Sequence, residues 1–235
     1  MIMFAGVDAC KGGWMVAKSS SWPCSEVPLL AVCPNFRTVL QLTGDCDRVA
    51  VDIPIGLPSG KNIRQCDREA KKLLSGHNPA ALFYAPPRET IRAESPSEFQ
   101  RLHRRARGAG AGIPVWGFLP KVIDANDAMT SAHQKRVIEF HPELTWMRLA
   151  GGNLESKHSY EGIAERKKLL HKLIPSLEGI LRWKDLLGRA ATQDDILDAL
   201  VGIAVAKASL RRSPCLLPEG QVETDANGLR MEIWY

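Results

Sequence analysis

Several patterns that would have directed a reading elsewhere are missing from this sequence. Its six cysteines (Cys10, Cys24, Cys33, Cys46, Cys66 and Cys215) form no CxxC pair and no zinc-ligand spacing. That excludes a zinc ribbon or a dithiol redox motif. Scattered through apolar or helical stretches, they read as reduced thiols of a cytoplasmic protein. Long hydrophobic runs are also lacking: ILDALVGIAVA is too short to span a bilayer and carries Asp198. MIMFAGVDAC has neither the basic segment nor the long apolar core of a signal peptide. The expectation is therefore a cytoplasmic location with no membrane partner. There is no internal repeat and no low-complexity tract. A phosphate loop is missing too, since GLPSGKN is one residue short between its glycines and has Asn62 where Ser or Thr would reach a magnesium ion.

What is present suits one well-filled domain: 235 residues, 45% hydrophobic and 24% charged. The net charge of +5 is modest, so placement matters more than sign. Arg101, Arg104, Arg105 and Arg107 crowd one stretch with His103, and ERKKLLHK (165–172) is a second basic cluster. Such clusters can hold phosphates, and a solvated helix face explains either one as well.

The element order at the start is β-β-β-α-β. IMFAGVDA, WMVAKSS and PLLAVCP read as strands, the first two joined by the tight turn CKGG. FRTVLQLTG has helical spacing, and RVAVDIP is a buried strand that Pro54 stops at or just after Asp52. Beyond it, NIRQCDREAKKLLSG, SPSEFQRLHRRARG (with Ser95 or Ser97 near its start) and KVIDANDAMTSA read as helices. Residues of about 77–117, rich in proline and glycine, are expected to form an insertion or lid on a single domain spanning 1–235. RVIEFHPE is the last core strand, and ELTWMRLAG and SYEGIAERKKLLHKLI are helices. TQDDILDALVGIAVAKASLRR is the clearest helix, with Thr192 as N-cap, Asp194 and Asp195 at the positive end of its dipole, and apolar residues repeating at three and four. The end of the chain is expected to be a hairpin about Asn227-Gly228.

Five acids stand out by position. Asp8 and Asp52 end two strands, Glu139 lies near the end of the last core strand, and Asp195 and Asp198 share a face near the start of the long helix. If the Asp8 and Asp52 strands are parallel neighbours, both acids project from one sheet edge, where open α/β sheets place ligands. Asp52 also suits a turn cap, and Asp194 and Asp195 suit the helix dipole alone. Carboxylates gathered in a dry site require a cation, and Mg²⁺ or Mn²⁺ takes oxygen ligands. Two such ions about 4 Å apart would activate a water and stabilise the leaving oxygen of a phosphodiester. Lys11, Arg68, Arg166 and Lys167 could contact phosphate or balance the acids. His141 before Pro142 and Trp14 on the second strand read as structural.

The set GVDACKGGW, VDIPIGLP, CDREAKKLL, EFHPELTW, EGIAERKKLL and DDILDALVGIAVA resembles the family catalogued as domain of unknown function 429, from Gly6 to about Ala206. The resemblance implies an α/β ribonuclease H-like fold, with a five-stranded mixed sheet whose first three strands are antiparallel, and a nuclease activity that is itself a prediction. More distantly, the last motif is similar to the DxxDA helix of Holliday-junction resolvases. It maps onto Asp195, Asp198 and Ala199, with Asp8 and Asp52 as that family's first two acids. A resolvase-like enzyme would act as a homodimer, although no stretch is an evident dimer face.

The expectation is a metal-dependent nuclease acting on DNA or RNA. Asp8, Asp52, Asp195 and Asp198 would hold Mg²⁺ or Mn²⁺, Glu139 would be a further ligand or base, and Lys11 would position phosphate. Two rivals stand beside it: a phosphotransferase or phosphohydrolase on a nucleotide or small phosphate ester, and a non-catalytic nucleic-acid-binding or scaffold protein whose acids are dispersed or neutralised by Lys11 and Arg68.

Overall fold

The computed structural model describes residues 2–76, 79–210 and 215–235. In chain order its elements are β1 (Phe4–Cys10), β2 (Gly13–Ser19), β3 (Leu29–Cys33), α1 (Phe36–Leu42), β4 (Arg48–Val51), α2 (Gln65–Leu74), α3 (Pro96–Arg107) and α4 (Ile113–Ala128). They continue with β5 (Val137–Glu139), α5 (Pro142–Ala150), α6 (Tyr160–His171), α7 (Leu177–Leu187), α8 (Gln193–Ala208), β6 (Leu216–Leu217) and β7 (Ile233–Trp234). These residues cluster into two compact units. One comprises Met1–Asp52, Arg136–Cys215 and Trp234–Tyr235; the other comprises Ile53–Lys135 and Leu216–Ile233.

The first unit is built on a five-stranded mixed sheet of order β3-β2-β1-β4-β5, the arrangement of a ribonuclease H-like fold. β1 and β2 are antiparallel from Phe4↔Ser19 to Cys10↔Gly13, and the turn between them closes at Gly13, whose φ of +133° a side chain would strain. β4 runs parallel to β1, and β5 parallel to β4 with Val51 opposite Glu139. The last rung between β1 and β4 is the Asp52 N–H donating to the Val7 carbonyl at 2.9 Å, so the strand stops where the sequence stops it. β1 and β2 are buried almost throughout, which is why they read as continuous apolar runs rather than alternating ones.

The long helix α8 lies on this sheet against β1, β2 and β4. Its Thr192 N-cap is as expected, but residues Ile196 to Ile203 are buried without interruption, so the helix has no solvent-facing stripe along that stretch. Two glycines let it come close. A Cβ on Gly6 would stand 2.0 Å from the Ala199 carbonyl oxygen, and one on Gly202 would stand 2.8 Å from the Gly6 Cα. The expected C-terminal part of this helix, Arg211-Arg212, lies outside the described residues.

The second unit contains α2, α3 and α4. Ser95 caps α3 by accepting from the Glu98 N–H. α4 starts eight residues earlier than KVIDANDAMTSA suggested: it opens at Ile113 with Pro114 in its first turn and keeps Pro120 in its interior. A proline costs nothing in a first turn, where the N–H has no helical partner, and one interior proline removes a single rung. Residues 77 and 78, at the start of the expected insertion, lie outside the described residues. The C-terminal hairpin turns at Gly228, with Thr224 opposite Arg230, and both the Asn227 and Leu229 N–H groups donate to Asp225. All six cysteines are free, and no helix of the described residues is long and apolar enough to cross a membrane.

Candidate functional site

Strand register decides which acids meet. Gly6 faces α8, and Asp8, two residues on, shares its face of the sheet. Asp52 follows β4 directly, beside β1. Asp198 lies one residue before Ala199, the α8 residue that Gly6 approaches. Asp8 and Asp198 are buried, 7% and 2% exposed, while Asp52 is half-buried, so the group of three meets water on the Asp52 side.

Their protonation records that confinement. Burial first, then the charges of Asp52, Asp198 and Asp195, hold Asp8 well above the usual carboxylate range. Burial and Asp198 raise Asp52 to about 8, with Glu139 adding to the rise while Lys157 and a hydrogen bond from Asp8 oppose it. With both carboxyls raised, Asp8 and Asp52 each disfavour a second negative charge beside the first. Asp198 is pushed to about 6, chiefly by burial, against the restraint of Lys157 and Trp146.

Asp198 is held from two sides. The Trp146 indole N–H donates to Oδ1 at 2.7 Å, and the Lys157 ammonium lies 3.4 Å from Oδ2. Lys157 also lies 2.8 Å from Asp194 Oδ2. Burial would lower the Lys157 pKa, but Asp198 and Asp194 beside it raise it well above the ordinary lysine value. Neither Lys157 nor Trp146 was singled out from the sequence as a partner of the acids.

The other expected residues fall as follows. Asp195 closes a capping box: its Oδ2 accepts from the Thr192 N–H at 2.6 Å, and the Thr192 hydroxyl accepts from the Asp195 N–H. Glu139 is buried on β5 and acts electrostatically on Asp52. Lys11 is exposed in the β1–β2 turn. His141 is the N-cap residue of α5, and Trp14 is fully buried edge-on to Phe36. Arg68 belongs to the second unit and is exposed. Arg166 is not a surface cation: it is 1% exposed, and its Nη2 donates to both Glu143 oxygens at 3.0 and 2.9 Å. That bond ties EGIAERKKLL to EFHPELTW.

Among the described residues, no three His, Cys, Asp or Glu side chains converge as a preformed protein cage for a metal ion. The Asp8–Asp52 pair nonetheless fits the needs of Mg²⁺, which is usually held by one or two carboxylates and keeps water and substrate oxygens as its other ligands. A cation there would offset the repulsion between the neighbouring carboxyls.

A family model described as protein of unknown function (DUF429) matches residues 6–221. No curated protein and no solved structure matches the chain.

Proposed function

The chain belongs to the DUF429 family, and on that footing we propose that it is a divalent-metal-dependent nuclease hydrolysing phosphodiester bonds of DNA or RNA. The observation that carries the reading is the gathering of Asp8 and Asp52 at adjacent strand ends with buried Asp198, close enough for their charges to disfavour one another's ionisation. Such a set is costly to keep for stability alone, since each carboxyl disfavours ionisation of the next.

Asp8 and Asp52 would hold Mg²⁺ or Mn²⁺, with Asp198 opposite. When bound, such an ion lowers the pKa of water and neutralises charge growing on a phosphoryl oxygen. The chain's own residues do the rest. Asp52, raised to about 8 while no cation is bound, would give up its proton on holding the ion, so metal binding would release a proton there. Trp146 fixes the direction of Asp198, and Glu139 keeps negative charge beside Asp52.

One observation favours the non-catalytic rival: Lys157 already supplies a cation to Asp198 and Asp194. The two readings separate on one experiment. Wild type, Asp8→Asn and Asp52→Asn are incubated with Mn²⁺ and labelled single-stranded, duplex and branched DNA and RNA. The nuclease reading expects cleavage by the wild type and a loss of about a hundredfold or more in each variant. Cleavage that survives both substitutions would assign the activity to a contaminant. Metal binding without cleavage would move the substrate to a small phosphate ester, and absence of metal binding would leave the acids to Lys157.

A further inference from the structure

Lys157 lies in the irregular segment 151–159 between α5 and α6, yet the backbone around it is fixed from several directions. Arg166 Nη1 donates to the Glu155 carbonyl at 2.9 Å and to the Gly162 carbonyl at 3.0 Å, while its Nη2 is held by both Glu143 oxygens. The Glu155 N–H donates to Glu165 at 2.9 Å. The Ser159 hydroxyl, besides accepting from the Gly162 N–H as the N-cap of α6, donates to the Ser156 carbonyl at 2.7 Å. Gly162 allows the segment to pass: a Cβ there would stand 2.1 Å from the Ser156 carbonyl oxygen. Buried Arg166 also stacks at 5.8 Å over the Trp146 ring, whose N–H holds Asp198. One buried guanidinium therefore positions both groups that grip Asp198.

The ammonium presented this way is more than a helix-end ion pair with Asp194. It lies against Asp198, and its charge reaches Asp8 and Asp52 as well. It is thus a cation among the same carboxylates that would serve a divalent ion, and two cations cannot share Asp198 Oδ2 without repulsion. Each oxygen of Asp198 already has a partner, Trp146 on one and Lys157 on the other. Only the Lys157 contact, at 3.4 Å and part-buried, is open to exchange; the Trp146 bond is fully buried.

We infer that Lys157 is the resident cation of the acid site and that a divalent ion gains Asp198 by displacing it. The inference rests on the metal reading above and adds its consequence: the site is neutralised by the chain itself until metal arrives, and metal entry frees an ammonium next to the place where a phosphate would sit. A residue that merely propped the segment would weaken metal binding when removed. A competing cation strengthens it.

The test is calorimetric titration of Mn²⁺ into the full-length wild type and into Lys157→Met, Lys157→Gln and Lys157→Arg, with circular dichroism to confirm folding. Removal of one opposing charge is expected to tighten Mn²⁺ binding by about tenfold in the Met and Gln variants, while Arg retains the wild-type value. Independently of any variant, acetic anhydride should label Lys157 of the wild type faster once Mg²⁺ is bound, read by mass spectrometry. Equal or weaker Mn²⁺ affinity in folded Met and Gln variants would overturn the inference and leave the metal reading standing. So would an unchanged labelling rate at a Mg²⁺ concentration that calorimetry shows to bind. If no protein in the series binds metal, both readings fall together. If the Met and Gln variants bind and the wild type does not, the competition is confirmed in its strongest form.

Discussion

Asp52 carries a carboxyl whose folded pKa is about 8 against about 4 in an unfolded chain, because burial and the charge of Asp198 disfavour its ionised form. The folded state therefore binds a proton more tightly than the unfolded state does. Its contribution to stability is complete below the unfolded value and is lost as pH rises through about 8, the reverse of an ion-paired aspartate. Asp198, pushed to about 6, adds the same sign over a narrower window. In metal-free buffer the thermal midpoint should fall between pH 4 and pH 8. Asp52→Asn, which cannot ionise, should flatten the decline. Adding Mg²⁺ at pH 8 should restore the wild type and leave the variant unmoved. A midpoint that rises over this range in metal-free wild type would show that Asp52 is ionised and paired in the folded state.

At the scale of elements, the distance between α8 and β1 decides whether Asp198 meets Asp8. The backbone contact at Gly6 admits no side chain, since the nearest atom to a new Cβ is a carbonyl oxygen 2.0 Å away on a helix that cannot yield locally. Gly6→Ala should cost about 3 kcal/mol in urea denaturation, as overpacking does. It should also remove Mn²⁺ binding by lifting the helix. Ile174→Ala, fully buried in the same unit, is the control: it should cost about as much through a cavity while leaving metal affinity unchanged. Equal effects of the two on affinity would show that the glycine contact supports stability alone. The same contact explains what the sequence made legible. Asp8 and Asp52 could be read because prolines, glycines and apolar runs mark where strands end, and Asp198 because the spacing of α8 places it a turn inside an apolar helix. Lys157 and Trp146 could not, for they reach Asp198 across 41 and 52 positions from a turn-rich segment and from a short helix, and no local period announces such a meeting. The break before α7 is marked only by Pro175 and Ser176 between two helical runs, KKLLHKLI and SLEGILRWKDLLG, which otherwise read as one.

Across the whole molecule the net charge of +5 is too small to argue for nucleic acid by itself, so the distribution of the basic clusters has to carry the case. The arginine-rich stretch of α3 divides on inspection. His103 is buried, with Nδ1 at 2.7 Å from the Ala109 carbonyl, and Arg107 donates to the Ala85 and Asn62 carbonyls. Burial lowers the Arg107 pKa, and Arg64 and Arg68 lower it further against the pull of Asp67. Arg101 is exposed but paired with Glu98. Arg104 and Arg105 remain as the exposed cations of that helix, and α6 likewise keeps Lys168 exposed while Arg166 is spent inside. If the second unit binds a polynucleotide through α3, the exposed pair should contact phosphates, and each contact releases counterions on binding. The measurement is fluorescence anisotropy of a labelled duplex against salt concentration, made in the Asp52→Asn background so that cleavage does not intervene. Arg104→Ala/Arg105→Ala should reduce the slope of log affinity against log salt by about 2, close to one for each phosphate contact removed. A slope that the double variant leaves unchanged would mean that these arginines only face water. Duplex affinity that does not depend on salt at all would argue against a polynucleotide and move the weight to a small phosphate ester at the same acids.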